Sequence, residues 1–266
     1  MTPADLDAAL AQATDIARAA GAFAHQAFQQ RTRLLVEEKG AQDYVSAADR
    51  DTEALIVRAL RDAFPQHGVL GEEGAKEAPE QNQPLWVIDP IDGTTNFLHG
   101  IALYAVSVGL VVDGVPVAGV IHVPELGETF TARTGGGAFM NGVPIHCAGT
   151  TSLARATVGI GSSGRTPPNE ILSLYESLTR AGVEVRRLGS ACVHLAAVAC
   201  GRIDGYVEPH LNAWDVAAGL VLLQESGADE DGFTQGAWLT RGGRMCAAAP
   251  GVFHALQRFS QESARA

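Results

Sequence analysis

The segment from Trp86 to Phe97, WVIDPIDGTTNF, closes an apolar run with two aspartates, Asp89 and Asp92, three positions apart, and Gly93, Thr94 and Thr95 follow directly. Carboxylate oxygens are the hard ligands Mg²⁺ prefers, and backbone N–H groups at the start of a helical turn, here those of Gly93 and Thr94, can face an anion. That combination suits a phosphate ester. Its hydrolysis needs charge neutralised on the phosphoryl oxygens, a positioned water and a stabilised leaving alkoxide. Divalent cations bridged by shared carboxylates can provide all three.

Such a site needs carboxylates from several parts of the chain. Glu72 and Glu73 stand in Gly-Glu-Glu-Gly after Val69 and Leu70, which read as a short strand, and Asp215 stands in Trp-Asp-Val-Ala-Ala-Gly at the start of an Ala-rich apolar helix. Taken singly, each piece has an ordinary explanation. Glu72-Glu73 would be a solvated loop, Asp215 a first-turn helix residue, Asp49 an N-cap, Lys39 a surface lysine, and Ser162 and Ser190 plain loop residues. Five segments agreeing in order and spacing are not explained that way. Together they resemble the inositol monophosphatase family of Mg²⁺-dependent, lithium-sensitive phosphatases.

The resemblance implies that Glu72, Asp89 and the carbonyl of Ile91 hold one Mg²⁺, that Asp89, Asp92 and Asp215 hold a second, and that a third, weaker ion involves Glu72 and water. It implies that Thr94, oriented by Asp49, works with Glu72 to activate the attacking water, Glu72 acting as general base. Lys39 matches a family lysine near the active site. Gly93 and Thr94 would bind phosphate. Gly161-Ser162-Ser163 and Gly189-Ser190-Ala191 match loops that contact the substrate ring, and Glu208 matches the carboxylate that accepts hydrogen bonds from inositol hydroxyls. Ser162, Gly189, Ser190, Ala191, Glu208, Asp92 and Asp215 are therefore the expected substrate contacts. A site built around hydroxyls discriminates strongly against analogues lacking them, so Glu208 favours inositol 1-phosphate. Thr95 points the same way, since branches acting on nucleotide bisphosphates tend to carry Lys there. Histidinol phosphate, fructose 1,6-bisphosphate and other sugar phosphates stay open as alternatives on the same scaffold. A regulatory module with a vestigial metal site is the reading of a different class. The acidic Ser226 to Phe233 segment departs from the glycine-rich pattern usual after the family's last long helix, which bears on substrate breadth.

One competing pattern runs from Gly159 to Gly164, GIGSSG, after an apolar stretch and with Glu184 twenty residues further on, which imitates a dinucleotide-binding fingerprint. There the third glycine packs inside a helix, whereas here Pro167 and Pro168 delay the helix to about Asn169.

The 266 residues, 46% apolar and 18% charged, can bury one large core or two smaller ones. A net charge of −11 argues against nonspecific binding to nucleic acid or anionic membranes. Cys147, Cys192, Cys200 and Cys246 show no paired or zinc-like spacing and read as small core thiols, consistent with a cytoplasmic location. No targeting signal or membrane-spanning run stands out. A homodimer is a family expectation.

Helical spacing covers Thr2 to Gln29 and Asp49 to Phe64. Tyr104 to Val112 and Val115 to Val123 flank the hairpin signal Asp113-Gly114, and Glu128 to Thr134 extends what reads as an antiparallel sheet under helices, with a turn at Asn141-Gly142. After about residue 148 strands alternate with helices: strands 157–161, 183–188, 205–208 and 245–249, helices 169–181, 191–201 and 213–225. The chain thus divides into an α+β part, residues 1–147, carrying most metal ligands, and an α/β part, residues 148–266, contributing Asp215 and the substrate loops. The resemblance implies a layered αβαβα sandwich of the inositol monophosphatase and fructose-1,6-bisphosphatase type, with the site between the halves.

Overall fold

Alternation of apolar side chains along the strands decides how the layers stack. In the computed structural model, which describes residues 1–31, 36–40, 43–77, 83–164 and 166–265, strand β5 (Leu85–Asp92) is buried along its whole length. Before it come helix α1 (Pro3–Gln29), strands β1 (Val36–Gly40) and β2 (Asp43–Ser46), helix α2 (Ala47–Ala63), and strands β3 (Gly68–Gly71) and β4 (Lys76–Glu77). After it come the short helix α3 (Thr94–His99), then β6 (Ala105–Val112), β7 (Val115–Val123), β8 (Glu128–Arg133), β9 (Gly137–Met140) and β10 (Val143–Pro144). The last part holds β11 (Thr157–Ile160), α4 (Pro168–Arg180), β12 (Glu184–Arg186), α5 (Ala191–Ala199), β13 (Gly205–Leu211), α6 (Ala213–Ser226), β14 (Asp229–Glu230), α7 (Trp238–Arg241), β15 (Gly243–Ala248) and α8 (Pro250–Ser263).

Side chains two apart on a strand share a face. Trp86 and Ile88 of β5 therefore pack with Leu6, Ala13, Ile16 and Ile56 of α1 and α2, while Leu85 and Val87 face Leu195, Val216 and Leu220 of α5 and α6. The same split recurs in the second sheet: Tyr206, Met245 and Ala247 join the α5/α6 core, whereas Val207, Cys246 and Ala248 pack with Leu174, Leu178 and Leu256 of α4 and α8. The result is five layers, α1/α2, an eight-stranded sheet, α5/α6, a five-stranded sheet and α4/α8, the αβαβα sandwich expected. Being covered on both sides, α5 is buried throughout and α6 is buried from Val216 to Leu223.

The larger sheet runs β10-β9-β8-β7-β6-β5-β3-β4 and the smaller β12-β11-β13-β15-β14. The first is not wholly antiparallel: β3 pairs parallel with β5, so that Gly71, the last residue of β3, lies opposite Ile88, one residue before Asp89. The hairpin turn lies where Asp113-Gly114 placed it, both residues at positive φ (51° and 79°). Several expected boundaries shift. Strand 183–188 shrinks to β12, helix 191–201 stops at Ala199, and 205–208 extends to Leu211. The C-terminal strand starts at Gly243, and α8 follows it in addition to the helices expected.

Candidate active site

Two aspartates three apart on a regular strand would point to opposite faces, because side chains alternate with period two. The structure resolves this with a bulge. Asp89 pairs with Ser107 and Asp92 with Ala105, three residues on β5 against two on β6, and the extra residue brings both carboxylates to one side. Asp215, in the first turn of α6, completes the cluster: Asp89, Asp92 and Asp215 each offer an oxygen, and these lie within 4.8 Å of one another.

Each carboxylate is held by backbone at the chain's own turns. Asp89 Oδ1 accepts the Ile91 N–H at 3.0 Å, and Asp92 Oδ2 accepts the Cys192 N–H at 2.7 Å together with the Ser190 hydroxyl. Asp215 Oδ2 accepts the Asn212 N–H at 2.6 Å in a reciprocal cap of α6. The N-termini of α5 and α6 thus both point at the acidic cluster, where their dipoles favour negative charge. Burial pushes the Asp89 carboxyl well above the usual carboxylate range, and the charges of Glu72, Asp92, Asp215 and Asp49 push it further. Asp92 is raised by burial and partly held back by Ser190 and Cys192. So many oxygens with mutual repulsion are a donor set that fits a hard divalent cation.

Asp49, with no exposure on the first turn of α2, accepts the Thr94 hydroxyl at 3.0 Å, and the same hydroxyl lies 3.1 Å from the Ile91 carbonyl oxygen. Gly93, the N-cap of α3, has φ of 96°, and a β-carbon there would stand 3.1 Å from Ser190 Cβ and 3.2 Å from the Gly189 carbonyl oxygen. The Gly93-Thr94 turn and the 189–191 loop are therefore in close contact. Glu72 follows β3, and its loop is held by Glu53 of α2, which accepts the Glu73 N–H at 2.8 Å and the Ala75 N–H at 3.0 Å. Lys39 lies on β1, and its side chain is outside the described residues.

On the second sheet, Glu208 of β13 is 7% exposed and accepts the Tyr206 hydroxyl. Ser162 lies in the loop after β11, where Arg187 donates to its hydroxyl at 2.8 Å. Glu208 is joined to Asp92 of the acidic cluster by a path of direct contacts through Tyr206, His194 and Ser190. The structure thus gathers Asp49, Asp89, Ile91, Asp92, Gly93, Thr94, Ser190 and Asp215, with the charge of Glu72 acting on Asp89, while Gly161 packs against Glu208 and Ser162 follows it in the loop after β11. Residue types alone missed Glu53, Asn96, His194 and Tyr206. Asn96 donates to both Leu103 and Leu188 carbonyls at 2.7 Å, tying α3 to the 188–190 loop. The Gly159–Gly164 pattern is no nucleotide turn, since the helix after it starts only at Pro168. All four cysteines are free.

The inositol monophosphatase family model matches residues 5–263. The chain is 44% identical over 218 residues to an inositol-1-monophosphatase of Mesorhizobium japonicum, covering 80% of this chain and 82% of that one. It is 39% identical over 248 residues to a Pseudomonas aeruginosa protein named Nus factor SuhB, covering 90% and 91%. The crystal structure of the extragenic suppressor protein suhB from Bartonella henselae superposes with a TM-score of 0.89 at 33% identity, covering 96% of this chain and 99% of that one. Fold and site define a phosphoric monoester hydrolase of the layered α+β type. The chain belongs to the inositol monophosphatase family.

Proposed function

We propose that this site hydrolyses inositol 1-phosphate to inositol and phosphate. The observation that carries the reading is the convergence of Asp89, Asp92 and Asp215, a metal-type carboxylate cluster to which the buried hydroxyl acceptor Glu208 is linked through Tyr206, His194 and Ser190. Relatives named inositol-1-monophosphatase support the same substrate.

In this reading Glu72, Asp89 and the Ile91 carbonyl hold one Mg²⁺, Asp89, Asp92 and Asp215 a second, and Glu72 with water a third. Bound Mg²⁺ supplies charge neutralisation at the phosphoryl oxygens and at the leaving alkoxide. Thr94 has one hydroxyl proton, committed to Asp49 and the Ile91 carbonyl, so its oxygen can only accept. A water in front of it therefore donates one proton to Thr94 Oγ1 and keeps a lone pair aimed at phosphorus, while Glu72 takes up the proton released on attack. The Gly93 and Thr94 N–H groups bind phosphate, Lys39 adds positive charge nearby, and Ser162, Gly189, Ser190, Ala191 and Glu208 contact the ring. Lithium sensitivity, a cytoplasmic homodimer and a division of the chain at 147/148 belong to the same reading. The division is supported by separate sheets for strands 68–144 and 157–248.

The test is phosphate release from inositol 1-phosphate, histidinol phosphate, fructose 1,6-bisphosphate and adenosine 3′,5′-bisphosphate, with Mg²⁺ and with chelator. Metal-dependent preference for the inositol ester is expected. Preference for another ester would overturn the substrate, and turnover undiminished by chelator would overturn the metal site.

A further inference from the structure

Glu208 and Asp92 belong to different layers, yet a continuous path of contacts joins them. Tyr206, without exposure on β13, donates its hydroxyl to Glu208 Oε2. Its ring lies flat on the His194 imidazole, with centroids 4.4 Å apart and 8° between the planes. His194 is in turn held at both nitrogens: Nδ1 lies 2.7 Å from the Ser190 carbonyl oxygen, and Nε2 lies 3.1 Å from the Leu188 N–H. A carbonyl only accepts and an amide N–H only donates, so these two partners impose the neutral tautomer with its proton on Nδ1. Burial pushes the imidazole down to about 4, which agrees with a ring that stays neutral. Ser190, whose carbonyl receives that proton, gives its own hydroxyl to Asp92.

Two glycines make the arrangement possible. A β-carbon at Gly159 would stand 2.3 Å from His194 Cδ2, and one at Gly161 would stand 1.9 Å from Glu208 Oε2. The glycines that imitate a nucleotide fingerprint are spaced to admit this histidine and this carboxylate.

We propose that Tyr206 and His194 are positioning residues that set the orientation of the Glu208 carboxylate and so create the preference for phosphate esters of polyols. The proposal rests on Glu208 accepting substrate hydroxyls. A carboxylate held at one oxygen by a buried phenol is restricted in its rotation, and the stack on a doubly anchored imidazole keeps the phenol in place. Recognition of a hydroxyl by a fixed acceptor loses none of its strength to ordering that acceptor on binding. The same imidazole fixes the loop that orients Asp92, so ring recognition and the acidic cluster share one support.

The experiment compares kcat/KM for inositol 1-phosphate and for p-nitrophenyl phosphate, whose alcohol carries no ring hydroxyls, in the full chain with Mg²⁺. The ratio of the two is read for the unaltered enzyme, Glu208→Gln, Tyr206→Phe and His194→Phe. Tyr206→Phe removes one hydroxyl, and the ratio is expected to fall about tenfold, the value of roughly one hydrogen bond, with the loss carried by KM for the inositol ester. His194→Phe keeps a ring for the stack but drops both hydrogen bonds. It should lower the ratio too, and calorimetric titration with Mg²⁺ alone should show weaker binding. An unchanged ratio in Tyr206→Phe, beside a collapsed ratio in Glu208→Gln, would overturn the positioning role and leave Glu208's role standing. An unchanged ratio in Glu208→Gln would overturn both. If His194→Phe does not fold, the Tyr206→Phe ratio decides alone.

Discussion

A carboxylate with 1% exposure, surrounded by the charges of Glu72, Asp92, Asp215 and Asp49, costs the metal-free chain stability that a neutral residue of the same size would not. Asp89→Asn therefore has two opposed expected effects. Turnover should drop at least about a thousandfold, because one oxygen set shared between cations is lost. In chelator at pH 7 the same variant should melt higher, by about 2–4 °C for each kcal/mol of repulsion relieved. The sign follows from the raised carboxyl: the folded form holds a proton that the unfolded form has released, so the cost is present above the folded-state value and vanishes on acidification. Phosphate-release kinetics and calorimetric melting read the two effects, and a variant both active and no more stable would sink the assignment. At this scale the carboxylates were legible because Asp89, Asp92, Glu72 and Asp215 interrupt apolar or glycine-rich sequence, where a charge has no structural reason to be. His194 and Tyr206 were not, since both are residues that cores commonly accept, and only their mutual stacking and partners give them a role.

Among the elements, α6 has to bring Asp215 over the end of β5, and the sheet is shaped to receive it. Gly109 of β6 and Gly119 of β7 are direct cross-strand partners, and a β-carbon on them would stand 2.8 Å from Ala217 Cβ and 2.5 Å from the Ala218 carbonyl oxygen. The helix backbone at Ala217 and Ala218 thus rests almost on the sheet backbone, while Gly219 gives room to Leu195 of α5. Gly119→Ala is expected to destabilise the protein by about 1–3 kcal/mol through overpacking, and to weaken Mg²⁺ binding because α6 must lift and carry Asp215 with it. Denaturant unfolding and calorimetric titration check the two parts, and unaltered metal affinity in a destabilised variant would separate the seat of α6 from the site. Long helices and the 105–123 hairpin were readable from periodicity and from Asp113-Gly114. The parallel β3–β5 pair was not, because pairing direction depends on the crossover between strands and leaves no local signature. The β5 bulge is invisible for a related reason: it is defined by its partner strand, and without it the Asp89/Asp92 spacing argues against a shared face. Helix α8 does carry a signal, with Val252, Phe253, Leu256 and Phe259 at helical spacing after Pro250.

For the whole molecule, pH acts through the buried His194 and the partly buried Asp231 with opposite signs. His194 in the folded chain lies near 4, below its ordinary 6.5, so folding excludes a proton and stability is lost as pH falls from about 6.5 to 4. The full difference corresponds to about 3 kcal/mol. Asp231, which accepts the Cys246 N–H at 3.1 Å, is raised by burial to about 6, so its contribution is lost as pH rises from 3.8 to 6. Being partly exposed, it should count for less, about 1–2 kcal/mol. The two partly cancel in the unaltered protein, which masks each of them in a single pH profile, and the variants separate them. Asp231→Asn keeps an acceptor for Cys246 and removes the charge, so it should gain stability over the unaltered chain at pH 7 and none at pH 4. His194→Phe should show a smaller loss than the unaltered chain between pH 7 and pH 4, whatever its stability at pH 7, because the protonation that drives the loss is gone. Denaturant midpoints in chelator at the two pH values measure both differences, and for Asp231→Asn the titrating carboxylates of the active site cancel between variant and parent. Equal acid losses with and without the imidazole would mean that His194 can take a proton inside the fold, which its two anchors at Ser190 and Leu188 forbid.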